Sequence, residues 1–283
     1  MTSSLFANGS AIANVSVMRR AINSIISELG WAKGALTSRS YSYFVDLLAY
    51  RVLKILPFLA TPSLRTITVD ELAVYYRRNR GDIQGIREVF MDEAYRLPKS
   101  FVPKTVLDVG ANIGLTSLYY LTHYPVSQLV AVEPEPSNLR LLYKNLEPYI
   151  TTGRAVVVSA AAASTNGVSR FAVSRSSNLG HIDSEGGMAV NTVTIDTLLD
   201  YFPARAVDLL KLDVEGGEQD LLTADNIQWL DHFNGVIAEF HPLQVEYERL
   251  TSTIASWGLR YFPAGSLWPH SMDMFFRSEV IPR

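Results

Sequence analysis

From Lys104 onward, short apolar runs alternate with stretches of helical periodicity, and this alternation restricts the fold more than any other feature of the chain. "TVLDV" reads as a strand and "IGLTSLYYLTHY" as a helix; "QLVAVE" and "PSNLRLLYKNLEPY" repeat the pair. "RAVVVSAAAA" reads as a further strand, followed over 164–187 by a Ser-, Gly- and Asn-rich stretch that holds one short strand, "RFAV". "NTVTIDTLLDYF" and "DLLKLDVEGGEQDLL" each read as a strand entering a helix, "GVIAEF" as a strand and "LQVEYERLTSTIASWG" as a helix. "LRYFPAG" and "MDMFFRS" close the chain as a strand pair. Parallel neighbours need crossover connections, so strands alternating with helices imply an α/β fold with a parallel sheet covered on both faces.

Residues 1–100 read differently, as a helical N-terminal extension. Residues 17–29 and 41–56 carry apolar side chains three and four apart. A short strand follows, then a helix from about Val69 and another from about Asp82, with Asp70 or Asp82 as capping candidates. The expected organisation is therefore an extension over 1–100, serving as lid, acceptor-site or dimer element, and a sheet domain over 101–283. The most apolar segment, 43–60, contains Asp46, Arg51, Lys54 and Pro57. A spanning helix needs about 20 nearly uncharged residues, so no transmembrane segment is expected, while contact with a membrane surface stays open. "YYRRNR", over 75–80, mixes groups that stack on sugars and pair with anions; a solvated helix end accounts for it equally well.

The chain has no cysteine. That excludes disulfides, thiolate metal sites and a cysteine nucleophile, and it fits a reducing compartment. The N-terminus lacks the positive region of a signal peptide, so a cytoplasmic protein is expected. A formal net charge of −3 argues against nucleic acid as the partner, because phosphate binding leaves a basic footprint.

At the seam between "TVLDV" and its helix stand Asp108, Gly110, Asn112 and Gly114. Glycines at such a turn let backbone approach a ligand, and the helix N-terminus offers amide donors. The spacing Gly-Ala-Asn-Ile-Gly lacks the GxGxxG of dinucleotide binders. The next strand ends in "AVEPEP", with Glu133 nineteen residues after Gly114. An acid there can accept both hydroxyls of a ribose, which implies a ligand containing a nucleoside. S-adenosylmethionine, a sulfonium cation, needs no pyrophosphate cradle and favours nearby carboxylates such as Asp108. The plainer alternative is a tight turn with a capping Asp and a surface Glu. A second cluster, Asp213, Glu215 and Glu218 around Gly216 and Gly217, ends another apolar strand. Three carboxylates there are costly unless they cap a helix, bind a cation or line a site.

"LDVGANIGLTSL", "VAVEPEPSNLRLLYKNL", "VTIDTLL", "LLKLDVEGGEQDLL" and "IAEFH", in that order, resemble the FkbM family of S-adenosylmethionine-dependent methyltransferases over about 80–276. "RGDIQGIREVFMDEAY" is similar to the segment that precedes the core in members acting on glycans, where an Arg…Asp pair precedes a helix. The resemblance implies a Rossmann-like class I methyltransferase sheet, mostly parallel with an antiparallel last strand. It also implies methyl transfer to an oxygen, commonly a hydroxyl of a sugar or natural product. It carries Asp108, Gly110, Asn112 and Gly114 onto the methionine side of the cofactor and Glu133 onto the ribose. Asp213 joins this set, and Pro134 and Ala161 flank the adenine. "EGGE" stands where "EGAE" is usual in the family.

A sugar hydroxyl is a weak nucleophile, so a base beside the acceptor helps. His241 in "AEFHP" is the first candidate, with His181 in "SNLGHID" and Asp213 as others. Alternatively, Mg2+ held by Asp213, Glu215 or Glu239 would acidify the acceptor. The leading expectation is an O-methyltransferase whose partner is a saccharide-containing small molecule or glycan, and a homodimer stays open. The rivals are an NAD-linked oxidoreductase on a similar sheet and a non-catalytic member that binds cofactor or glycan.

Overall fold

The computed structural model of the chain describes residues 63–69, 71–173, 180–182, 187–214, 217–223, 226–240, 246–263 and 272–281. The chain divides into two compact units, residues 1–61 with 66–74, and residues 62–65 with 75–283. The expected helices over 17–29 and 41–56 lie outside the described residues, as does Asp70.

Strands β1 (Leu64–Val69) and β2 (Leu72–Arg77) form a two-stranded sheet, with Glu71 between them at φ 68°. This corrects the helix expected from about Val69. "AVYY" is rich in β-branched and aromatic residues, which suit extended backbone. Burial along β2 falls on every second residue, Val74 and Tyr76, as in a strand with one covered face. Helix α1 (Arg80–Ile86) is capped by Asn79, whose side chain accepts from the Asp82 amide at 2.8 Å. Asp82 is therefore not the cap, and its carboxylate pairs with Arg77 instead.

The expected alternation then follows. It runs through β3 (Thr105–Val109), α2 (Leu115–His123), β4 (Gln128–Val132), α3 (Pro136–Thr151) and β5 (Ala155–Val158). The stretch expected as one strand, "RAVVVSAAAA", breaks at Ser159 and Ala160, and β6 (Ala161–Ala162) belongs to a different sheet. That second sheet has four strands in the order β6-β9-β7-β8, with β7 (Gly167–Val173), β8 (Gly180–Ile182) and β9 (Met188–Val193). The described part of the polar stretch over 164–187 thus supplies two strands, β7 and β8, where one was expected. The chain continues through α4 (Ile195–Leu198), β10 (Val207–Leu212), α5 (Glu218–Thr223), β11 (Phe233–Ala238), α6 (Tyr247–Ser256), β12 (Leu259–Phe262) and β13 (Asp273–Arg277). Among the described residues, no helix is long and apolar enough to cross a membrane.

The large sheet has seven strands in the order β12-β13-β11-β10-β3-β4-β5. β13 runs antiparallel to β11 and β12, and the other pairings are parallel. Its central strands are apolar on both faces, with Val106, Leu107, Val130, Leu209, Leu210 and Val236 fully buried, as a doubly covered parallel sheet requires. From β3 the chain proceeds outward to β4 and β5, then returns to build β10 and β11 on the other side. The crevice at this reversal, beyond the carboxyl ends of β3 and β10, is where such sheets bind ligands. Strand register pairs Asp108 with Lys211 and Val109 with Leu212 there.

Two glycines at the seam answer to the protein's own packing. Gly110 has φ 79°, and a Cβ on it would lie 1.7 Å from the Asp213 carbonyl oxygen. Gly114 has φ 85° at the N-cap of α2, where a Cβ would lie 2.6 Å from Leu142 Cδ1. Both need a left-handed backbone that costs an L residue about 1–2 kcal/mol, quite apart from the clash.

Helix α3 carries Asn138 and Asn145 on one buried face, two turns apart. The Asn145 amide behaves as a strand neighbour to Tyr75. Its oxygen accepts from the Tyr75 N–H at 2.7 Å, and its nitrogen donates to the Tyr75 carbonyl at 3.0 Å and to the Ile113 carbonyl at 2.7 Å. Asn145→Ala strands three backbone groups, so a loss of about 3 kcal/mol is expected in urea denaturation. A loss below about 1 kcal/mol would mean that water replaces the amide.

Candidate active site

The site is organised around a buried lysine. The Lys211 ammonium lies 3.3 Å from Asp108 Oδ1 and 3.4 Å from Asp213 Oδ2, in ion pairs, and it donates to the Gly110 carbonyl at 2.6 Å. Burial by itself would favour the neutral amine, but the charges of Asp108, Asp213 and Glu239 outweigh it and raise the Lys211 pKa above its ordinary value. Asp108 is fully buried, and its Oδ2 accepts from Ser117 Oγ at 2.6 Å. Its carboxylate therefore faces Ser117 on α2 and Lys211 on β10 rather than an open surface.

The loop after β3 is fastened to the end of β4. The amides of Gly110 and Ala111 both donate to the Val132 carbonyl, at 3.0 and 2.9 Å, and the Asn112 amide donates to Glu133 Oε2 at 2.9 Å. Asn112 itself has φ 51°, and its side-chain Oδ1 is buried with no hydrogen-bond partner in this structure. Glu133 Oε1 accepts from the Glu135 amide at 2.8 Å and from the Asn138 side chain at 3.2 Å. Burial pushes the Glu133 carboxyl up to about 7, and the three hydrogen bonds from Glu135, Asn138 and Asn112 hold it from rising further.

Beside Glu133 opens a cleft of about 220 Å³ lined by Pro134, Pro136, Ser159, Val168, Met188 and Val190, among others. Complete small-molecule sites occupy about 300–1,000 Å³, so this cleft has the size of one ring system, and its lining includes the polar residues Ser159 and Asn191. Val168 on β7 is 72% exposed, an apolar side chain offered to whatever enters. Pro134 and Ser159 line the cleft, while Ala161 is buried against Phe171 and Val190 in the small sheet.

The second acidic cluster is split by the fold. Asp213 is engaged by Lys211, and Glu218 is fully buried with its Oε1 accepting from the Val214 amide at 2.8 Å. Glu215 and His241 lie outside the described residues. For His181, β8 places the backbone opposite Ala172 of β7. Among the described residues, no group of three or more His, Asp or Glu side chains is arranged to hold a metal. Of the acids expected to hold Mg2+, Asp213 is paired with the protein's own ammonium at Lys211, and Glu215 lies outside the described residues. The Glu239 backbone continues the sheet by donating to the Leu212 carbonyl at 3.0 Å, and its charge reaches both Lys211 and Tyr95.

Sequence reasoning missed Lys211, although a lysine inside the apolar run "DLLKLD" was a signal. It missed Asn138, and it gave the 75–80 stretch anion-pairing groups without finding that Arg77 reaches Asn138 61 residues away. It also missed Asp273, a buried acid at the start of β13, in register with Ala238 at the end of β11, which accepts from the Tyr247 hydroxyl at 3.0 Å.

The sheet order, with paired acids and a glycine turn at its reversal point, defines a Rossmann-like methyltransferase fold. Residues 108–261, more than half of the chain, match the family described as the methyltransferase FkbM domain, and the chain belongs to that family. It is 27% identical over 218 residues to methyltransferase sdnD of Sordaria araneosa, covering 64% of this chain and 83% of that protein. It is 23% identical over 195 residues to methyltransferase 1 of Beauveria bassiana, covering 61% of this chain and 78% of that protein. Among solved structures it is similar to an FkbM methyltransferase from Methylobacillus flagellatus at a TM-score of 0.43 and 18% identity. That similarity covers 69% of this chain and 53% of the solved one, so this chain spans about half of its length.

Removing the buried cation tests the core of this arrangement. Lys211→Met leaves Asp108 charged and unpaired, so a loss of about 3–5 kcal/mol is expected in chemical denaturation. Adding Asp108→Asn removes the orphaned charge and recovers at least half of that loss. Equal stability of Lys211→Met and the wild type would show that the pair holds nothing together.

Proposed function

We propose that the protein is an S-adenosylmethionine-dependent O-methyltransferase acting on a hydroxyl of a sugar, glycan, glycolipid or glycosylated natural product. The observation that carries this reading is Glu133. It is a buried carboxylate at the end of β4, bound to the Asn112 amide of the reversal-point loop and standing beside a small cleft of mixed polar and apolar lining. The residues suit the cofactor. Glu133 would accept the ribose hydroxyls, and the cleft of Pro134, Val168, Met188 and Val190 would take the adenine. The buried Asn112 Oδ1 lacks a donor that a ribose hydroxyl or an ammonium supplies. Asp108, through Lys211 and Ser117, holds the loop of Gly110, Asn112 and Gly114 in place.

When bound, the cofactor supplies an electrophilic methyl group on sulfur. The protein's part is to align the acceptor oxygen, and such positioning contributes about 7–11 kcal/mol. His241, three residues beyond the end of β11, is assigned as the base that takes the acceptor proton, with Asp213 and His181 as the other candidates. The saccharide acceptor is supported by the resemblance of residues 80–95 to the segment ahead of the core in glycan-directed members. An NAD-linked reading lacks the glycine spacing that holds a pyrophosphate.

Calorimetric titration with S-adenosylmethionine, S-adenosylhomocysteine and NAD tests the reading. The two sulfur ligands bind and NAD does not; the reverse would overturn it. Because burial holds Glu133 near pH 7 and a ribose hydroxyl donates best to the ionised carboxylate, S-adenosylhomocysteine affinity rises about tenfold from pH 6 to pH 8. Glu133→Gln flattens that rise, and a flat profile in the wild type would remove Glu133 from the ribose. His241→Ala lowers methyl incorporation into glycan extracts by about 10²–10⁴-fold with cofactor affinity unchanged. Full incorporation by that variant would dismiss it as the base, and none by the wild type would favour a binding role.

A further inference from the structure

The segment ahead of β3 is wired into the cofactor side of the sheet by a partly buried guanidinium. Arg77, at the end of β2, donates through Nε to Asp82 Oδ2 and through Nη2 to Asp82 Oδ1, each at 2.9 Å, and its backbone amide adds a 2.7 Å bond to Oδ2. The same fork reaches the first turn of α3, from Nη1 to Ser137 Oγ at 2.8 Å and from Nη2 to Asn138 Oδ1 at 2.7 Å. The Asn138 amide nitrogen then donates to Glu133 Oε1 at 3.2 Å. Side-chain exposure is 14% for Arg77 and 0% for Asp82.

Two features set this pair apart from an ion pair that merely stabilises the fold. First, a cation at a helix N-terminus opposes the helix dipole, so its place beside Ser137 and Asn138 is locally unfavourable. The Asp82 carboxylate offsets it, together with that of Glu135, which caps α3 and accepts from Ser137 Oγ. A local rule broken with such support is the mark of a functional constraint. Second, the two ends of an amide are nearly equal in shape, and only their partners decide which is presented where. A guanidinium can only donate, so it draws the Asn138 oxygen to itself and turns the NH2 toward Glu133.

We propose that the buried Arg77–Asp82 pair is a positioning device of the cofactor site: it locks the Asn138 amide with its NH2 aimed at Glu133, and so fixes the carboxylate that receives the ribose. This rests on the ribose role proposed for Glu133. Without Arg77 the pull on the Asn138 oxygen is lost, and a turned amide would set that oxygen against Glu133, replacing a donor with a repelling acceptor. The Asn138 hydrogen bond is one of those that oppose the upward push of burial on the Glu133 carboxyl. The relay therefore has a signature in titration that a purely structural pair lacks.

The test compares the full-length wild type with Arg77→Met/Asp82→Leu, an apolar replacement that buried pairs commonly tolerate, and with Asn138→Ala. Two quantities are read. One is the midpoint of the Glu133 carboxyl by 13C NMR without cofactor, assigned with Glu133→Gln. The other is S-adenosylhomocysteine affinity at pH 7. Both variants are expected to raise the midpoint by about one unit and to weaken binding about fivefold at pH 7. Combining them adds little beyond either alone, as for members of one relay. If the apolar pair fails to fold, Arg77→Lys, which keeps a charge for Asp82 but loses the planar fork, is expected to move the midpoint the same way. An unmoved midpoint with weakened or unchanged stability would overturn the proposal while leaving the ribose reading intact. Failure of the wild type to bind S-adenosylhomocysteine would overturn the ribose reading, and the proposal with it.

Discussion

One ammonium group ties together the two strands on which this site is built. At the reversal point of the sheet, β3 and β10 lie side by side, with Asp108 one residue before the end of β3 and Asp213 just past the end of β10. Asp108 is completely buried, and a carboxylate without a partner there would cost several kcal/mol. Lys211 stands between Asp108 and Asp213 and also holds the Gly110 carbonyl, so charge balance and loop conformation are settled by the same group. The rest follows in sequence. Gly110 must lack a side chain because the Asp213 carbonyl occupies that space, and the loop amides close onto Val132 and Glu133.

A second line of polar contacts crosses helix α3. Buried polar groups need partners, and Asn138 and Asn145, on the same face two turns apart, meet that need by joining three segments. Asn145 binds Tyr75 on β2 and the Ile113 carbonyl of the loop before α2; Asn138 binds Arg77 on one side and Glu133 on the other. The residues ahead of β3 are thus part of the network that shapes the reversal-point loop. The small sheet adds the remaining wall, since β7 and β9 bring Val168, Met188 and Val190 to the cleft beside Pro134.

Much of this was legible in the sequence. The alternating runs after Lys104 specified a parallel α/β sheet closed by a strand pair, because period and crossover length are local properties, and the family resemblance implied the antiparallel last strand. The seam residues and Glu133 lie together at the carboxyl end of the sheet, as neighbours on β3 and β4 must. Two readings failed for identifiable reasons. "VDELAVYYRR" has helix-compatible spacing, yet Glu71 takes a left-handed conformation and turns the chain into a second strand. "RAVVVSAAAA" looks continuous, but Ser159 and Ala160 hand the chain from one sheet to another.

The sequence by itself determined the family, the strand–helix order and the residue types at the reversal point, since these depend on neighbours close along the chain. Tertiary structure decided what each charged group does. Asp108 and Asp213 meet a lysine, Glu218 binds its own turn, and Asp82 takes an arginine rather than a helix end. Arg77 finds Asn138 61 residues away, and Lys211 finds Gly110 at a separation of 101. Such partners are chosen by strand register and helix face, which no window of sequence contains, and in a low-dielectric interior the partner fixes whether a charge binds, positions or only holds the fold.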